Sequence, residues 1–463
     1  MIINQHIKSL ISRFSVPRVA YYSTAVLLIG LIFHFIGINF LQFVVWLPKG
    51  AMLGISLRKE LLIAVLCVTI CWYYVAQFGV KQAWKELFKD RYFRYLSIWF
   101  AVVIGVTLVS SLINGSRNHY LIAWRYNFTA FLLLLLGYQV AQIIPSVSTK
   151  RLTLLYAELM KWIIGFGLLW YFIISTLPWA LKLFGYDRHV YEGNIGERPP
   201  AVYYAALDHG APRNQFLRER PIFYGFYLVA FWPFFFLIYL RRAPRTEQVF
   251  YGLLYMLNIF STFSRSAWLT WIIQTVLLFF LLYGRQALKY LKYLFVPLVG
   301  LGALVWVYFY YEIFGPGRQF SNTGHINAFL KSIEILKTDR LRGLGAGTAW
   351  PASHQLGVWF NPENQYLQIR IEYGIFGFLA WFAYYVYFNI SWLIHNGWNK
   401  VKNYRQDTNI SRWDNHRLVL LACNIGLIWL SICGLVLHSL GDKMSFWPLM
   451  LLYGLWLGTR KND

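Results

Sequence analysis

Long apolar runs separated by short polar gaps set the pattern of this chain from residue 20 onward. A helix of ~20 apolar residues crosses the hydrocarbon core of a bilayer. Runs of that kind fall near 20–37, 61–79, 95–114, 120–143, 158–180, 221–240, 248–263, 266–283, 293–312, 374–395, 418–437 and 445–459. The pattern predicts an all-α integral membrane protein of about twelve transmembrane helices, read as one polytopic domain over 1–463 with no internal repeat. Residues 38–57 would add a thirteenth span, but Pro48-Lys49-Gly50 interrupts them. A full crossing there would also reverse the charge bias downstream, so the segment reads as re-entrant or interfacial.

Two polar intervals break the rhythm. The smaller, 185–220, mixes Arg188, Arg198, Arg213, Arg218 and Arg220 with Asp187, Glu192, Glu197, Asp208 and Glu219. The larger, 313–373, lies between the ninth and tenth spans. Its stretch Ile326–Leu336 has helical apolar spacing and suits a helix lying along the membrane surface.

Charge fixes the orientation. With an inner N-terminus, segments 1–19, 80–94, 144–157, 241–247, 284–292, 396–417 and 460–463 hold 23 Lys or Arg against six Asp or Glu. That asymmetry is the positive-inside bias, and it puts both polar intervals on the outer face. Arg58 and Lys59 run against it, because they fall on the outer side. The net charge of +24 therefore belongs to membrane topology. Nucleic-acid binding is excluded, since the cations are not gathered on one element with interleaved aromatics.

Composition agrees with this class, with 58% hydrophobic and 13% charged residues where a soluble domain carries roughly 25% charged. Cys67, Cys71, Cys423 and Cys433 all lie inside apolar runs and read as small buried residues, with no paired CxxC. The first apolar run lacks a small-residue cleavage site, so no cleavable signal peptide is expected. No spacing of metal ligands occurs, and no cofactor is expected.

The candidate chemistry lies on the outer side. Arg265, in Thr262-Phe263-Ser264-Arg265-Ser266-Ala267-Trp268, falls at a sharp turn between two spans. A guanidinium there suits bidentate phosphate recognition, or else it snorkels to lipid headgroups. Arg125 sits near the outer end of its apolar run and either faces a polar cavity or pairs locally. Arg198, Arg213, Arg218 and Arg220 form a second cationic group, from which one or two contact a ligand while others pair with the five acids. Glu363 follows the turn-setting Asn361-Pro362, and His354 stands nine residues earlier. Either could deprotonate an acceptor hydroxyl, the carboxylate through partial burial and the imidazole with less tuning. Asn364 and Tyr366 are candidate substrate contacts, while His325, His189 and His209 rank lower. Arginines beside a carboxylate or imidazole at a bilayer edge suit transfer chemistry on a lipid diphosphate.

At these residues the chain resembles the O-antigen ligase and Wzy-type O-antigen polymerase superfamily. Ser264-Arg265-Ser266-Ala267-Trp268-Leu269 is similar to the Ser-Arg that opens a central span of that family. Gly343-Leu344-Gly345-Ala346-Gly347-Thr348 is similar to its Gly-rich run after a short surface helix. Glu363-Asn364-Gln365-Tyr366-Leu367-Gln368 and Glu372-Tyr373-Gly374-Ile375-Phe376-Gly377 resemble its His-Asn-x-Tyr-Leu segment and the Glu-x-Gly-x-x-Gly after it. Order and spacing agree over roughly 213–385.

The resemblance implies a GT-C-like, metal-independent glycosyltransferase of the bacterial inner membrane with a large periplasmic catalytic loop. Its donor would be a glycan on undecaprenyl diphosphate, and its acceptor a lipid- or sugar-linked hydroxyl in polysaccharide or lipopolysaccharide assembly. Arg265 inherits the diphosphate role, with Arg213 or Arg220 as the upstream partner. Glu363 stands where the family's ligase histidine would be, which leaves Glu363 or His354 as base and leaves ligase against polymerase open. A transporter or flippase of lipid-linked glycan is the reading from another class; it would need ionisable residues through the span centres and repeat symmetry.

Overall fold

The computed structural model describes residues 15–34, 57–177, 213–216, 220–283, 316–338, 341–349, 360–396, 415–435 and 439–459, together with 37, 38, 41, 45, 218, 353 and 437. Within them the regular structure is helical, in the order α1 (Val16–Ile32), α2 (Arg58–Phe78), α3 (Val80–Leu87), α4 (Arg91–Ile113), α5 (Arg117–Asn127), α6 (Thr129–Ile143) and α7 (Ser146–Thr176). There follow α8 (Pro221–Phe234), α9 (Arg245–Ser261), α10 (Arg265–Tyr283), α11 (Pro316–Thr338), α12 (Gln365–Asn396), α13 (Asn415–Cys433) and α14 (Lys443–Gly458).

Five helices among the described residues are long and apolar enough to cross a membrane: Arg58–Phe78, Arg91–Ile113, Ser146–Thr176, Pro221–Arg242 and His416–Cys433. A sixth is reached if α5 and α6, bent by 58° where they meet, form one span. The integral-membrane, all-helical reading therefore stands, with five or six such spans among the described residues, and the expected span 293–312 lies outside them. The expected single span 120–143 is instead this bent pair. The expected span from 374 is the second part of α12, which starts at Gln365 and breaks at Gly374 (φ 69°, ψ −171°).

The helices divide by what they face. Only 22% of the apolar window of α2 and 28% of that of α4 is buried within the protein, against 78% for Pro221–Arg242. The outward faces of α2, α4 and α7 carry Val68, Trp72, Ile98, Val109, Trp162 and Phe172, all exposed. Apolar area of that extent is what lipid covers. Cys71 belongs to this outward set and Cys67 is half-buried, so the expected burial holds only for Cys423 and Cys433. At the centre α14 is buried from Ser445 to Gly458. It packs backbone to backbone against α6, because a Cβ on Gly454 would collide with the Leu134 carbonyl and one on Gly137 with the Leu451 carbonyl. Small residues at such crossings gain dispersion contacts where lipid supplies no hydrophobic drive.

One end of the bundle gathers nearly all the loops of interest. Ser110 Oγ and Asn114 Nδ2 at the end of α4 donate to the Arg342 carbonyl at 2.9 and 3.3 Å. Asn364 Nδ2 donates to the Leu435 carbonyl beyond α13 at 2.7 Å. At the opposite end Trp456 Nε1 donates to Thr153 Oγ1 at 2.7 Å and Tyr74 Oη to Gln139 Oε1 at 2.7 Å. Arg342 and Asn364 of the larger polar interval thus lie at one end of the bundle, against the ends of α4 and α13.

Candidate functional site

The polar segment after α11 folds onto the head of α12 as a clasp. Leu344 N–H donates to the Ile371 carbonyl at 2.7 Å, and Gly345 N–H to the Glu372 carbonyl at 2.9 Å. Ala346 N–H reaches Ser116 Oγ at 2.9 Å, and Gly347 N–H reaches Glu372 Oε1 at 3.1 Å. The Gly-rich run therefore spends its N–H groups inside the protein, where a phosphate cradle would point them outward. Gly343, Gly345 and Gly347 all take positive φ, a conformation that L side chains resist.

Glu372 is the buried anchor of this clasp, fully inaccessible to solvent. Asn127 Nδ2 donates to its Oε2 at 2.8 Å, and Gln368 Nε2 donates to Asn127 Oδ1 at 3.1 Å. Burial pushes its carboxyl up to about 8, while the donors from Asn127, Ala349, Gly347 and Gln368 pull the other way. Desolvation wins because it outweighs the hydrogen bonds that favour the charged form.

Glu363 stands at the mouth of α12 in the left-handed region (φ 49°). The Asn361 side chain fixes that turn by accepting from Glu363 N–H at 3.0 Å. This strained backbone aims the carboxylate outward, 28% exposed, where its Oε2 lies against His325 Nδ1 of α11. Helix α11 reaches this position because Leu336 packs with Ala349 and Ile371 in a small separate core. His325 is thus the residue that ranking by sequence passed over. The only sequence signal was its place one residue before the Ile326–Leu336 helical pattern. His354 lies outside the described residues.

Asn364 and Tyr366 take structural roles. Asn364 Oδ1 caps α12 by accepting from Tyr366 N–H and Leu367 N–H, each at 3.0 Å. Tyr366 Oη donates to the Ser431 carbonyl at 2.9 Å. Beneath them, between α12 and α13, lies an apolar groove of about 560 Å³ lined by Tyr366, Phe378, Phe382, Tyr385, Ile428 and Leu435, among others.

The arginines divide between scaffold and surface. Arg213, 7% exposed, donates from Nε to the Thr262 carbonyl at 2.9 Å and from Nη2 to the Phe263 carbonyl at 3.2 Å. Those two carbonyls belong to the turn that delivers Arg265 at the head of α10, a turn that also holds Phe263 at φ 48°. Arg213 and Arg265 therefore meet through one turn, with Arg213 as its clamp. Arg218 is buried with its guanidinium 4.1 Å above the Tyr227 ring. Arg220 precedes α8 and stays exposed. Arg198 lies outside the described residues. Arg125 follows its local-pairing alternative, with Nε 2.7 Å from Glu60 Oε1.

The end of α13 links the two halves. Gln365 N–H donates to the Gly434 carbonyl at 2.8 Å, and the adjacent Cys433 Sγ lies 3.6 Å from Thr270 Oγ1 on α10. No group of three or more His, Cys, Asp or Glu arranged to hold a metal occurs among the described residues.

A family model described as O-antigen ligase matches residues 250–382. The match runs from α9 through the turn of Arg265 and the Gly-rich clasp to Glu363 and the head of α12. It supports the O-antigen ligase/Wzy superfamily for this chain on the same residues from which the resemblance was drawn. Comparison with curated proteins and with solved structures finds no match.

Proposed function

We propose that the protein transfers a glycan from undecaprenyl diphosphate to an acceptor sugar hydroxyl at the outer face of the bacterial inner membrane. The observation that carries this reading is the family match over 250–382, which contains both Arg265 and Glu363. The Glu363–His325 pair supplies the base. It removes the acceptor hydroxyl proton as the oxygen attacks the anomeric carbon, and the bond from that carbon to the diphosphate oxygen breaks. Arg265, with Arg213 holding its turn and Arg220 as a second candidate, neutralises the charge that grows on the departing diphosphate. His354 is the fallback base. The apolar groove below Tyr366 suits the isoprenoid chain of the donor, leaving its head at the mouth of α12. Ligase and polymerase differ here only in the acceptor, and the family description favours the ligase.

Purified protein in nanodiscs, given undecaprenyl-diphosphate glycan and candidate acceptors, should release undecaprenyl diphosphate and extend an acceptor. Movement of intact lipid-linked glycan across the bilayer without any transfer would replace this reading with a flippase.

A further inference from the structure

The end of the bundle marked by Tyr74 and Gln139 carries a short helix whose apolar sector is wider than the protein that covers it. Gly79 (φ 75°, ψ 159°) stands between α2 and α3, so the chain turns there instead of continuing as one helix. Helix α3 reads Val80-Lys81-Gln82-Ala83-Trp84-Lys85-Glu86-Leu87, and residues four apart share a face. Ala83 and Leu87 turn to the bundle. Ala83 is buried, and Gln139 Nε2 of α6 donates to the Leu87 carbonyl at 3.4 Å. Val80 and Trp84 continue that apolar sector, yet they are 77% and 70% exposed. Lys81 and Lys85 come next round the helix, and both are exposed.

Neither lysine has an acid partner among the described residues, and the helix's one carboxylate, Glu86, is met by Lys89 at 3.0 Å. The Trp84 ring is held in place, 4.7 Å from Phe88, which lies 5.6 Å from the buried Phe93 of α4. The helices adjoining this face are the lipid-facing ones. Phe78 at the end of α2 and Tyr95 and Trp99 of α4 are all exposed, and the Arg91 guanidinium stands 5.6 Å over the Tyr95 ring. Aromatic rings and long cations at one level are the make-up of a headgroup layer. That continuity, and two unpaired lysines flanking an uncovered apolar pair, favour a bilayer over a peripheral protein as the neighbour of α3.

We propose that α3 lies in the headgroup layer at this end of the bundle and is a docking surface for anionic phospholipid. Val80 and Trp84 enter the acyl boundary, and Lys81 and Lys85 meet the phosphates. The surface is separate from the turn of Arg265 and from the groove between α12 and α13, and it stands whether or not the transferase reading does.

Hydrogen–deuterium exchange of the full-length protein tests it, in nanodiscs of dioleoylphosphatidylglycerol and in nanodiscs of dioleoylphosphatidylcholine. Amides of 80–88 should exchange about tenfold or more slowly in phosphatidylglycerol, because bound headgroups suppress local opening. Lys81→Gln with Lys85→Gln, at exposed and unpaired positions, should bring the two discs to the same rate. Trp84→Ala should speed exchange in both lipids and leave the preference for phosphatidylglycerol. Equal wild-type rates in the two lipids, which need no variant to fold, overturn the anionic docking surface. Exchange in Trp84→Ala as slow as in the wild type overturns insertion of the apolar pair. Slow exchange that appears only when two copies share a disc assigns the face to a second copy and overturns the proposal as well.

Discussion

Gly343 and Gly374 lie face to face, both at positive φ (75° and 69°), and neither has room for a side chain. A Cβ on Gly343 would stand 2.9 Å from the carbonyls of Ile371 and Glu372, and one on Gly374 would press into the backbone of Leu341 and Arg342. The contact sets the break in α12, so the turns bearing Gln365 to Tyr373 stay at the loop end while the rest of the helix descends.

Gly374→Ala should therefore cost about 1–3 kcal/mol, from left-handed strain and overpacking together. Gly105→Ala, on α4 with open space around the new methyl group, should be close to neutral. Thermal unfolding of both variants in detergent checks the contrast, and equal melting temperatures would mean that the clasp does not hold the break.

Glu372 adds a pH dependence. An unfolded carboxyl ionises near 4.5, whereas in the fold Glu372 keeps its proton up to about 8. Between those values the folded state binds more protons, so this group's contribution makes stability fall as pH rises. Glu372→Gln should flatten that fall across the window, though its amide faces the Gly347 N–H and lowers stability at every pH. Melting temperatures of both proteins from pH 5 to 8 read out the slope, and parallel curves would sink the assignment.

What the sequence made legible was whatever is local. Apolar runs of helical length need no tertiary information, and they led to the helical membrane class. The bends did not show, because Gly374 and the α5–α6 junction are set by what packs against them. The Gly-rich run was legible as a point of family resemblance, but not that Ile371, Glu372 and Ser116 accept from its N–H groups. Arg125 was legible as a costly charge, while its partner Glu60 lies on another helix. His325 was passed over for the same reason, since nothing near residue 325 points to residue 363.

Arg213 is expected to act through the turn it clamps. Arg213→Ala frees the Thr262 and Phe263 carbonyls and loosens the approach to Arg265, at a cost of about 1–3 kcal/mol. Arg213→Lys keeps the charge without the two-pronged geometry and should recover little. Arg265→Lys should lose most of the activity while leaving the melting temperature near that of the wild type. Full activity in Arg265→Ala would reduce that residue to a helix-end anchor.

The pairing of Glu363 with His325 makes the sharpest kinetic prediction. Glu363 alone is a carboxylate in the slot of the family's histidine, and a carboxylate is a weak base near neutral pH. In the proposed reading its Oε2, set against His325 Nδ1, orients a neutral imidazole as the base, an arrangement in which each group depends on the other. Removing either should then cost about the same, ~10²–10⁴-fold in turnover, with donor binding nearly intact. Glu363→Gln combined with His325→Gln should cost scarcely more than one alone, because residues acting as a unit are not additive. His354→Ala should cost far less. Single-turnover rates and donor affinities for the four variants decide it. An active His325→Gln beside an inactive Glu363→Gln returns the role to the carboxylate alone, and an inactive His354→Ala beside two active partners moves it to the loop histidine.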